Sequence, residues 1–174
     1  MIRIALAPAA VLLSVLAGCA SNPSGSSGMR VHVLRLAPGA DLKRSLDEWV
    51  QQRNLDAVIV LTACGSLTTT QVRLADQPEG SRHDGKREIV SLTGTLSARS
   101  GSHLHLAAAD ATGATLGGHL LEGSIVYTTA EVALGELVDV TFQREVDPTY
   151  GYRELMVRAR ARGRTTETGG DGGR

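Results

Sequence analysis

Residues 101–123 read GSHLHLAAADATGATLGGHLLEG, two apolar runs joined by a turn and carrying three of the chain's five histidines. In the first run His103 and His105 stand two apart, so on a strand they project to the same face of a sheet. The turn decides where the third falls. DATG, Asp110 to Gly113, suits a three-residue hairpin loop, a type I turn with Gly113 left-handed. Asp110 then faces Ala114, and counting outward along the ladder brings His105 directly opposite His119. Opposed residues share a face, with Cβ atoms about 4.5–5.5 Å apart, so three imidazoles converge. A four-residue loop would instead turn His119 to the opposite face. Gly117 and Gly118 also leave room for a bulge or a close backbone approach.

Three neutral imidazoles suit zinc, which takes histidine nitrogens at about 2.0–2.1 Å and keeps a fourth position for water in a three-His site. Iron, nickel and cobalt fit the same set. The same histidines also suit a half-exposed polar sheet or a subunit contact. With a metal bound, the open position would lower the pKa of a water and support a hydrolase or lyase reaction. Such chemistry needs a proton acceptor. Glu122 faces away from His119 in this register, and Glu88 and Glu131 have no assignable place, so no catalytic residue is named. His32 and His83 show no comparable partner and read as surface residues.

Around this hairpin the chain alternates strand and turn signals. MRVHVLRL is a short strand pattern of period two. After APG, Leu42, Leu46, Trp49 and Val50 fall at helical spacing, with Asp41 placed as N-cap. DAVIVLTACGSL reads as a buried strand, and TTTQVRLAD, REIVSLTGTLSA, SIVYTTAEVALGEL and VDVTFQREV as further strands. One helix among many strands predicts an α+β protein, its helix covering one face of a mostly antiparallel sheet.

The first residues follow different rules. MIRIALAPAAVLLSVLAGC has a basic start, an apolar run too short to span a membrane and small residues before a cysteine, which is the pattern of a secretory signal. Its ending LAGC resembles the bacterial lipobox, which predicts a lipoprotein signal peptide at 1–18 and a lipidated Cys19. Residues 19–29, including SNPSGSSG, read as a flexible linker. Ala20 in place of an inner-membrane aspartate points to the outer membrane where there are two. Cys64 is then the one remaining thiol and reads as a small buried hydrophobe.

Composition narrows the partners. Eighteen basic and eighteen acidic residues cancel, so no global field draws the protein to nucleic acid. Aromatic residues at 3% give few rings for stacking on bases. Residues 158–174 turn to Arg, Gly and Thr and read as a disordered tail.

The histidine hairpin, followed by SIVYTTAEVALGEL, resembles the PPC domain (plants and prokaryotes conserved, also called DUF296). HVLRLAPGADLKRSLDEWVQQ, ACGSLTTTQVRLAD, EIVSLTGTLS and FQREVDPTYGYREL extend the likeness over about residues 30–157. The resemblance implies a sheet packed on a helix, a homotrimer, and a metal, zinc foremost, held by His103, His105 and His119. It also carries a DNA-binding label, and Arg162-Gly163-Arg164 matches the core of an AT-hook without its flanking prolines. Export across a membrane and a net charge of zero set nucleic acid aside as a partner. The expectation is a lipid-anchored, metal-binding envelope module for a small-molecule or protein ligand, with a metal-dependent enzyme or a DNA-binding protein as the alternatives.

Overall fold

The computed structural model describes residues 25–160. The signal peptide, Cys19 with the first part of the linker, and Arg162 to Arg164 lie outside the described residues.

Among the described residues eight strands and one helix follow in the order β1 (Met29–Leu36), α1 (Leu42–Gln52), β2 (Val58–Arg73), β3 (Ser81–Ser97), β4 (Gly101–Ala109), β5 (Thr115–Leu120), β6 (Ile125–Leu137), β7 (Val140–Val146) and β8 (Arg153–Ala159). Six of them form one sheet in the order β1-β6-β2-β3-β4-β5, every named pair antiparallel. The sheet curls until β5 also pairs with the far end of β2, Val72 opposite Leu120 and Arg73 opposite His119. Strands β7 and β8 form a separate ribbon.

These proportions correct the α+β expectation. Among the described residues strands take up 62% and the single helix eleven residues, so the domain is a mostly antiparallel β protein. The helix packs one side on the sheet and leaves the other to solvent. Leu42, Leu46 and Val50, one stripe at helical spacing, are fully buried among Leu67, Leu96, Leu104 and Leu134 of the sheet. Asp41 fixes its start by accepting from the Arg44 amide at 3.0 Å and from the Gly123 amide at 2.6 Å, which ties the helix to the segment after β5. The strands run longer than their sequence signals because ACGSL and TTT belong to one strand. β2 passes through Gly65 with register shifts against β6 instead of turning.

A second small core joins Ala57, Val140 and Phe142 to Leu155 and Val157. It seats the β7–β8 ribbon against the end of the main sheet. The ribbon runs through Ala159, and Arg158 pairs with Glu145 at 2.6 Å. Beside the same ribbon, Gly28 donates to Asp139 at 2.9 Å.

Two sequence readings change here. Cys64 is exposed, because β2 shows alternating faces at this point and Cys64 shares the outward one with Thr62. His32 is half-buried, bonded to Glu136 at 2.9 Å and edge-on to Trp49 with ring centroids 5.1 Å apart. His83 is also half-buried, opposite Thr70.

Candidate metal centre

The DATG loop closes as a three-residue hairpin. The Asp110 amide donates to the Ala114 carbonyl at 3.0 Å and the Gly113 amide to the Asp110 carbonyl at 2.9 Å. The Asp110 carboxylate accepts from the Thr112 hydroxyl and amide and from the Ala114 amide, bonds that hold its pKa below the ordinary carboxylate range. The ladder then runs Ala109 to Thr115, Ala107 to Gly117, and His105 to His119.

His103, His105 and His119 come together on one face. Their ring centroids lie 4.9–5.6 Å apart, one nitrogen from each falls within 4.8 Å of the others, and Nε2 of His103 is 3.2 Å from Nε2 of His105. Zinc bonds of about 2.05 Å at tetrahedral angles set ligand nitrogens about 3.3 Å apart, so one pair already has the required spacing and the third needs only a small closure. Nδ1 of His119 is buried without a hydrogen-bond partner, which leaves that imidazole with unmet polar capacity in the cluster.

The Gly-Gly before His119 has a steric cause. β5 is held between β4 and β2, and a Cβ on Gly118 would lie 2.6 Å from the Arg73 carbonyl oxygen. Only glycine lets the strand approach β2 closely enough to place His119 beside His103 and His105. On the other side, Gly94 of β3 sits opposite Leu104. Its φ is +134°, and a Cβ there would fall on the His103 carbonyl oxygen.

Electrostatics keeps the nitrogens available. Burial first, then the neighbouring His103 and Arg73, pushes the His119 imidazole down to about 4. Burial, then Arg144 and His105, lowers His103 as well. Both are therefore neutral at neutral pH, the state in which imidazole binds metal.

The cluster opens on a cavity of about 810 Å³ lined by Arg73, His103, His119, Arg144, Arg153 and Glu154, among others. Arg144 and Glu154 also line a smaller hollow beside His105. Arg144 and Glu154 fall in FQREVDPTYGYREL, but no spacing in that segment points to the histidines. They reach the histidines only because the β7–β8 ribbon docks on the main sheet. Glu122 is paired with Arg44 at 2.8 Å, and Glu131 lies near Cys64, 3.9 Å from its sulfur. Among the carboxylates considered from the sequence, none lines the cavity.

Residues 23–138 match the family model of the Plants and Prokaryotes Conserved (PCC) domain. A stretch of 135 residues is 47% identical to part of the bifunctional protein GlmU of Synechococcus sp. (strain JA-3-3Ab), covering 78% of this chain and 21% of that protein. The chain thus spans about a fifth of the length of this curated relative. Among solved structures, a hypothetical protein of Salmonella cholerae-suis is 40% identical with a TM-score of 0.76, over 78% of this chain and 98% of the other. A protein of Archaeoglobus fulgidus described as metal-containing is 26% identical with a TM-score of 0.63, over 75% and 95%. A Bacteroides thetaiotaomicron protein with a provisional DNA-binding name is 16% identical with a TM-score of 0.63, over 75% and 97%, and shows the fold alone.

Proposed function

The chain belongs to the Plants and Prokaryotes Conserved domain family, and we propose that this member is a lipid-anchored envelope protein that holds one divalent metal through His103, His105 and His119 and binds a ligand beside it. The observation that carries this reading is the convergence of three histidine nitrogens within 4.8 Å at the mouth of a cavity. The relative described as metal-containing supports it. Zinc suits the donor set best, and a three-His site leaves it a position for water or a ligand atom. Elemental analysis of the purified full chain is expected to find about one equivalent of zinc or a similar ion per chain, removed by a chelator and restored by the metal. A chain that takes up no stoichiometric metal would overturn the reading.

The anchor rests on the lipobox LAGC ending at Cys19 and on the apolar run before it. An outer-membrane position follows from Ala20 at the next residue. A trimer is supported by an outward face rich in exposed apolar side chains, with Met29, Val31, Val33 and Leu61 each more than 40% exposed. It also covers β1, an edge strand with unpaired backbone groups. The Cys19→Ser variant is expected to lose lipid labelling, and detergent-purified protein to scatter light as three chains. Persistent labelling would refute the anchor, and a one-chain mass would refute the assembly.

DNA binding is the weaker reading. It is motivated by the provisional name of a distant relative and requires salt-sensitive affinity for duplex DNA.

A further inference from the structure

Beyond the histidines, the wall of the 810 Å³ cavity includes three guanidiniums. Arg73, Arg144 and Arg153 all line it, and none of the three forms an ion pair among the described residues. Their positions are nevertheless fixed. Arg144 donates through Nη2 to the Thr95 hydroxyl at 3.1 Å and through Nη1 to the Arg153 carbonyl at 3.3 Å. Arg153 donates in return to the Arg144 carbonyl at 2.7 Å, so each guanidinium holds the other residue's backbone across the ribbon. Arg73 reaches the Gln77 carbonyl at 3.4 Å. Every one of these acceptors is neutral. A guanidinium has five N–H donors, and these bonds leave most of them unused.

Two carboxylates, Asp76 and Glu154, share the wall, so the guanidiniums outnumber them by one, and a divalent ion on the histidines would widen the excess. Like charges gathered in a partly buried space repel, and the two carboxylates offset that repulsion only in part. The Ser102 hydroxyl, in the same lining, is buried without a partner. A buried hydroxyl without a bond is uncommon and normally finds a partner in a ligand or water.

We propose that this cavity binds a small molecule bearing a doubly charged oxyanion group, received by Arg73, Arg144 and Arg153 with its far end toward the three histidines. Phosphate monoesters and paired carboxylates share the required chemistry, because planar guanidiniums bind both bidentately. The volume suits a ligand larger than a bare ion. The inference deepens the ligand-binding reading of the same site and rests on it for what the ligand meets at the histidines, but the arginine wall stands without the metal.

Isothermal titration of the full chain with phenyl phosphate and with phthalate, before and after chelation, tests it and separates the two sources. At least one probe is expected to bind, and Arg144→Met, Arg153→Met and Arg73→Met each to weaken it tenfold or more. Lys86→Met, a charge lost outside the cavity, is expected to leave affinity unchanged. A chain that holds metal but binds neither probe would overturn this inference and leave the metal site standing. A chain without metal that binds a probe in an arginine-dependent way would do the reverse. Affinity that survives all three arginine substitutions would overturn it, as would duplex DNA binding with this arginine dependence when neither probe binds.

Discussion

Replacing any one of His103, His105 or His119 with alanine is expected to strip nearly all of the metal from the chain, not a third of it. Each imidazole contributes one bond to a single ion, so the loss is collective. Removing an outer-shell partner of a metal ligand already costs about 10–100-fold in affinity, and losing the ligand itself costs more. Since metal stabilises only the state that binds it, wild type at a free metal concentration of 100 Kd should gain about 2.7 kcal/mol. For a domain of this size that is a rise of about 5–10 °C in melting temperature. The three variants should melt at the same temperature with metal as with chelator. His32→Ala serves as control, because His32 pairs with Glu136 and not with the cluster. Unchanged metal content in all three variants would refute the site.

The same experiment has a defined pH dependence. The folded metal-free chain holds His119 near pKa 4, below the ordinary value of 6.5. Between those values the unfolded chain binds a proton that the folded chain does not, so stability rises with pH across the window. His119 therefore contributes fully above about pH 6.5, and its contribution is lost as pH falls toward 4. Metal-free protein should melt progressively lower through that window, and His119→Ala should flatten the slope.

The histidine cluster was legible in the sequence because a hairpin is local. Period two fixes His103 with His105, DATG fixes the loop length, and the count along the ladder brings in His119. The arginine wall was not. Arg144 and Arg153 lie in a ribbon whose placement depends on tertiary contacts, such as the Phe142 amide donating to the Asp56 carbonyl at 2.9 Å and the Ser97 hydroxyl to the Phe142 carbonyl at 3.2 Å. No period or spacing reports those contacts. The fold class was misjudged for a related reason. The helical stripe of Leu42, Leu46 and Val50 is the most conspicuous pattern in the chain, yet it marks one helix of eleven residues beside a far larger sheet. Cys64 misled because an apolar run cannot by itself show which alternate residues face outward.

The sharpest test of how the fold makes the site is at a residue that touches no ligand. Gly94→Ala is expected to destabilise the metal-free protein by about 4 kcal/mol, from two costs that add. Its φ of +134° lies where side chains are strained, worth about 1–3 kcal/mol. The new Cβ would also fall on the His103 carbonyl oxygen, and forcing atoms into occupied space costs about 1–3 kcal/mol more. Melting temperature in chelator should drop by about 8–16 °C. Because the obstructing atom belongs to His103, β4 must shift to relieve the contact, and metal affinity should fall with stability. Gly85→Ala separates the two costs. Gly85 has a comparable φ of +116° with nothing within 4 Å of its Cβ position, so it carries the strain without the clash and should melt only a few degrees lower, with metal affinity unchanged. Equal melting temperatures for the two variants would mean that the clash with His103 contributes nothing. A Gly94→Ala protein with wild-type metal affinity would show that the histidines do not depend on the close approach of β3 to β4.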